Sequence, residues 1–166
     1  MSSHWMVCPG CGLELESDDS SLDERYNASV ACRRLYDELA VFTQTSGDKD
    51  FIHQTAIDSY TAQHLGPKLK PIGGAFALIG LYLTFERGYT GRQVQLAHMA
   101  LGKNHRDWPR FVAPKGKAVL TVADVITDLN QDNFRPRINA WGKAVWDWWK
   151  PEHDRVAELI DRYLGF

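Results

Sequence analysis

Apolar residues recur every three or four positions in segment after segment of this chain, while the strict alternation that marks a half-buried strand is rare. The pattern predicts a mainly α protein, a single-domain bundle of about six helices. Ser29 is placed to cap a first helix running to about Thr45, with Cys32, Leu35, Leu39 and Phe42 on one stripe. "SGDKD" breaks the chain, Asp48 or Asp50 supplies the next cap, and a second helix runs from about Phe51 to His64 before "LGPK" stops it. Its stripe is His53, Ile57, Tyr60 and His64. Pro71 suits the first turn of a third helix, apolar nearly all round from Ile72 to Phe85 and ended by Gly88, which the pattern makes the central one.

Thr90 caps a fourth helix whose Val94, Ala97, His98 and Leu101 share a face, with Gly102 as its stop. "NHRDWPRFVAPKGKA" reads as loop. Thr121 with Asp124 three residues on forms a capping-box start for a short helix to about Leu129. A longer helix begins near Arg135, with Pro136 in its first turn and Ile138, Trp141, Val145 and Trp148 in register. Pro151 then restarts the chain as a last helix lined by His153, Val156, Ile160 and Tyr163.

Ahead of the helices stands "CPGCG", Cys8 to Gly12, followed by a polar acidic linker, "ESDDSSLDERY". This divides the chain into a knuckle and linker over residues 1–28 and one cooperative helical bundle over 29–166. With 166 residues, 44% of them hydrophobic, the chain can bury one sizeable core but is short for two. The formal charge of -2 is scattered rather than blocked, so no footprint for nucleic acid or an anionic membrane stands out. "AFALIGLYLTF" falls well short of the roughly 18 apolar residues that suggest a membrane span. Cysteine is scarce and odd in number, and "MSSHWMVC" lacks the basic-then-apolar run of a secretory signal, so the expected compartment is a reducing cytoplasm. There Cys8 and Cys11 point to metal rather than to a disulfide, and the "NAS" sequon at Asn27 is a helix entrance.

A C-x2-C knuckle is half of a tetrahedral zinc site, and the chain holds only one more cysteine, Cys32. Cys32 falls in the first turn of its helix, where unpaired backbone N–H groups favour a thiolate. The fourth ligand follows from geometry. If the first two helices form an antiparallel hairpin turning near Asp48, residues equally far from the turn come level. Cys32 is sixteen residues before Asp48 and His64 sixteen after it, so Cys8, Cys11, Cys32 and His64 are the expected ligands. His53 would sit at the far end, level with about Thr43. His4, close to the knuckle, and His153 are the rival fourth ligands, and iron or nickel would also suit mixed sulfur and nitrogen donors.

Four protein ligands make a closed, structural site, which favours a small zinc-binding helical protein over a catalyst. The alternative is a metal-dependent hydrolase or transferase, because His53, His64, His98, His153, Tyr60 and Tyr163 all fall on apolar stripes, and Asp58 and Gln63 could orient imidazoles there. Asp58 would otherwise face solvent in mid-helix. A lesser alternative is a helical ribonuclease using Arg92 and His98 of "RQVQLAH". In "WGKAVWDWW" the stripe assigns Trp141 and Trp148 to the core and leaves Trp146 or Trp149 as an exposed contact for a protein partner.

The order "CPGCG", "RYNAS" then Cys32, "IHQTAIDSYTAQH", "IGGAFALIGLYLTFERG", "WP" and "LTVADV" resembles a bacterial family of uncharacterised small proteins, a domain of unknown function. The resemblance runs from about Cys8 to His153. Its most specific parts are the knuckle and Asp-x-Tyr-x-x-Gln-His, here Asp58, Tyr60, Gln63 and His64. Members often have proline after that histidine; Leu65 stands here. The resemblance implies that Cys8, Cys11, Cys32, His53 and His64 form a linked set, and it brings no reaction.

Overall fold

A computed structural model describes residues 4–104 and 107–165; His105 and Arg106, in the expected loop, lie outside the described residues. Strands β1 (His4–Val7) and β2 (Glu14–Ser17) form an antiparallel hairpin with Val7 opposite Glu14. Among the described residues seven α-helices follow: α1 (Val30–Thr45), α2 (His53–Gln63), α3 (Pro71–Arg87), α4 (Gly91–Asn104), α5 (Val122–Ile126), α6 (Phe134–Trp148) and, after a 3-10 turn, α7 (His153–Leu164). The fold is mainly helical, as the periodicity requires. Among the described residues no helix is long and apolar enough to cross a membrane. The hairpin was not expected, because its four-residue strands are largely exposed and carry no buried alternating face.

Helix ends follow local chemistry. The Ser29 hydroxyl accepts from the Cys32 N–H, Thr121 and Asp124 form a reciprocal capping box, and Gly88 ends α3 in the left-handed region. Asp48, not Asp50, accepts from the Ile52 N–H, and α2 starts later than expected because Phe51 has φ 55 and cannot be helical. α4 runs through Gly102, and α5 ends before Asp128, whose φ of 53 turns the chain.

The most enclosed helix is α2 rather than α3. Every residue of α2 except Ile57 is buried, and it packs against α1, α3, α4 and α6. Its polarity hid this in the sequence, since His53, Gln54, Thr55, Asp58, Ser59, Thr61 and Gln63 are all inside. Glycines let the neighbours come close enough to enclose it: a Cβ at Gly80 would overlap the Asp58 carboxylate, and one at Gly142 would lie 2.8 Å from the Ser59 hydroxyl.

The tryptophans correct the expected surface. Trp146 and Trp149 are 0% exposed, while Trp148 is only half-buried. α6 is covered on more than one stripe, because it packs against α2, α3 and α5. Trp146 donates to Glu86, and Trp149 donates to the Ala62 carbonyl at 3.0 Å. Neither is free to meet a partner.

Candidate metal centre

The β1–β2 loop carries the knuckle. Cys8 N–H donates to the Leu13 carbonyl at 2.8 Å, Gly12 N–H returns to the Cys8 carbonyl at 2.8 Å, and Gly12 takes the φ of 79 that the turn requires. The loop is pressed onto the approach to α1 and the end of α2. A Cβ at Gly10 would lie 2.5 Å from the Asn27 carbonyl oxygen and 2.6 Å from His64 Cδ2, so only glycine fits. Asn27 N–H donates in turn to the His64 carbonyl at 2.9 Å.

Cys32 enters from the first turn of α1 and His64 from the C-terminal cap of α2. The antiparallel register places them level at one end of the helical hairpin, while at the other end Thr43 and His53 meet at 2.7 Å. His64 Nδ1 donates to the Tyr60 carbonyl at 2.8 Å, which fixes the ring and leaves Nε2 to face the sulfurs. Cys8, Cys11, Cys32 and His64 are 0%, 4%, 0% and 0% exposed. Their donor atoms lie within 4.8 Å of one another, and this buried group could hold a metal ion.

Two spacings test the fit. Tetrahedral zinc with Zn–S near 2.3 Å and Zn–N near 2.05 Å sets sulfur from sulfur by about 3.8 Å and sulfur from nitrogen by about 3.5 Å. Cys11 Sγ is 3.8 Å from Cys32 Sγ, and Cys32 Sγ is 3.5 Å from His64 Nε2. Three soft thiolates with one imidazole are also a donor set that closes around such an ion.

The thiols polarise one another. Hydrogen bonds from Cys11 and then Cys32 hold Cys8 far below the ordinary thiol range. Cys32 draws Cys11 down, but the bond to Cys8 and burial outweigh this and leave it raised to about 12. Cys32 is pushed up further by its bonds to Cys11 and Cys8 and by burial. Tyr60, raised by burial and then by Cys32, keeps its proton and donates it to Cys32 Sγ at 3.5 Å. Its ring stacks on His64 with centroids 3.9 Å apart and on Tyr36 at 4.1 Å.

The other candidates serve elsewhere. His53 bonds Thr43 and, at 3.2 Å, Gln44; burial lowers its pKa, and its eleven-residue separation from His64 along α2 amounts to about 16 Å. The linked set therefore keeps its three cysteines and His64 together and leaves His53 apart. Gln63 does not orient an imidazole: its amide donates to the Leu120 carbonyl and accepts from Trp141 Nε1, both at 2.8 Å. Asp58 faces neither solvent nor a histidine. Its Oδ1 accepts from Gln54 at 3.1 Å, its Oδ2 is buried without a hydrogen-bond partner, and desolvation raises its pKa well above the carboxylate range. His153 stacks on Trp146 at 3.7 Å and bonds its carbonyl, and His4 lies exposed on β1. His98 stacks on Phe76 and bonds its carbonyl at 2.8 Å, whereas Arg92 lies over Phe51, so the two fill separate packing roles.

Sequence reasoning did not find Tyr60 as a donor to Cys32 or Lys117 as a donor to the knuckle. The first is one turn before His64 on the same stripe and was legible as a neighbour. The second is more than a hundred residues from the loop it touches. A family model described as a family of unknown function, DUF5946, matches residues 6–150. No curated protein matches the chain, and no solved structure does.

Proposed function

The chain belongs to the DUF5946 family, and from that premise we propose that it is a zinc-binding helical protein whose ion is structural. The observation that carries this reading is the enclosure of four donors within 4.8 Å of one another, two of their spacings at the tetrahedral values, with each of the four residues at most 4% exposed. A catalytic zinc keeps one position open to water. Here His64 takes the fourth position, and neither His53 nor His153 stands beside it to serve substrate chemistry. The ion clamps the β1–β2 hairpin onto α1 and α2, making residues 1–28 and 29–166 one cooperative unit. A reducing cytosol is the environment in which three free thiols stay available for this.

Elemental mass spectrometry on untagged protein tests the reading, run beside Cys32→Ala with circular dichroism on both. The expected result is one zinc per chain, lost in the variant together with helical signal. Iron or nickel in place of zinc would correct the metal. Freshly purified protein without metal, or metal retained by Cys32→Ala, would overturn the assignment.

A further inference from the structure

Residues 107–121 form a strap without regular structure, long for a connection in a compact domain, where such segments are commonly functional. It is tied down along its length. Arg110 donates to the Leu69 carbonyl at 3.2 Å, Trp148 to the Lys115 carbonyl at 3.2 Å, and Gln63, next to His64, to the Leu120 carbonyl at 2.8 Å. Between these anchors Lys117 reaches across to the knuckle. Its Nζ donates to the Pro9 carbonyl at 2.6 Å and the Gly10 carbonyl at 3.3 Å, the carbonyls of the two residues between Cys8 and Cys11. Its stem lies over Gly12, where a Cβ would sit 3.6 Å from Lys117 Cγ.

We propose that Lys117 is a positioning residue of the metal centre, an ammonium latch that holds the Cys8–Cys11 loop closed and offsets the charge of the loaded site. The inference rests on the metal reading above. Three thiolates and a neutral imidazole around a divalent ion leave one net negative charge. α1 brings no acidic residue to its first turn that would deepen that charge. Lys117 supplies the opposite charge where two carbonyl dipoles point outward, and its bonds polarise the peptides of the knuckle itself. Without the latch the loop that carries two of the four ligands opens more often, and the ion leaves through that opening.

The test compares zinc-loaded wild type, Lys117→Met and Lys117→Arg by the rate at which zinc passes to an excess of a chromophoric chelator. Lys117 is exposed, so both variants fold. Outer partners of metal ligands are worth roughly 10- to 100-fold in affinity, and Lys117→Met is expected to release zinc about tenfold faster at low salt. The gap narrows at molar salt, where the screening length falls to about 3 Å, and Lys117→Arg stays near wild type. A Met variant that releases zinc at the wild-type rate overturns the proposal, as does a gap that ignores salt or an Arg variant as fast as Met. Those outcomes leave the metal site standing, because the wild type still holds its ion. A wild type that binds no zinc overturns both readings.

Discussion

In the ion-free cluster hydrogen bonds favour the thiolate of Cys8, while the same bonds and burial raise the thiols of Cys11 and Cys32. A divalent ion needs all three as thiolates, so it must expel the protons of Cys11 and Cys32. Uptake at neutral pH is therefore expected to release two protons per ion, measured by calorimetry in buffers of different ionisation enthalpy. Affinity rises with pH, by about 100-fold per unit while both thiols are protonated in the free protein. Release of no proton would mean that the sulfurs are not the ligands. At this scale the site was largely legible, since C-x2-C spacing, the N-terminal position of Cys32 and equal distances from Asp48 each follow from counting residues. Gln63 and Asp58 were not, because which neighbour a mid-helix side chain meets depends on helices that counting does not place.

α2 shows that limit most clearly. Periodicity marks a helix with one apolar stripe and a polar remainder, yet α2 is enclosed by four others, and His53, Gln54, Ser59 and Gln63 find partners inside. The exception is Asp58 Oδ2, set against Gly80 of α3 with nothing to bond. Its sign works against stability at neutral pH. The folded chain retains this proton above the ordinary aspartate value near 3.9, whereas the unfolded chain releases it, so stability falls as pH rises, by up to about 1.4 kcal/mol per unit until the folded pKa is reached. Asp58→Asn keeps an oxygen for Gln54 and removes the titration. Urea denaturation from pH 4 to 8 should show this component of the slope missing in the variant, which becomes the more stable protein towards pH 8; parallel curves would contradict the buried, protonated carboxyl. The tryptophans in and just after α6 make the same point, for a stripe drawn on Trp141 and Trp148 treats burial as one-sided, while Trp146 and the capping Trp149 are buried as well.

Across the whole molecule the proposed clamp and the helical body are joined by direct bonds. Trp149 holds the carbonyl of Ala62 and Trp141 holds Gln63, the two residues that precede His64, while Cys8 and Cys11 belong to the same buried cluster as the helices. Structural zinc is worth on the order of 10 kcal/mol in small domains, comparable to the 5–15 kcal/mol that holds a typical fold. Chelation is thus expected to lower the melting temperature steeply, with far-ultraviolet dichroism and tryptophan fluorescence lost in one transition. Loss of the hairpin with an intact helical signal would show two independent units instead. The order of the ligands also has a bearing on how the protein is made. All four donors lie between Cys8 and His64, ahead of α3 to α7 in the chain. Roughly 70 residues separate His64 from the start of α6, and at ~5–20 residues per second their translation leaves roughly 3–14 seconds in which the nascent hairpin, α1 and α2 can capture the proposed ion before α6 exists to brace them. On the proposed reading the metal would be a template around which the later helices assemble, and Lys117 emerges from the ribosome only after all four donors.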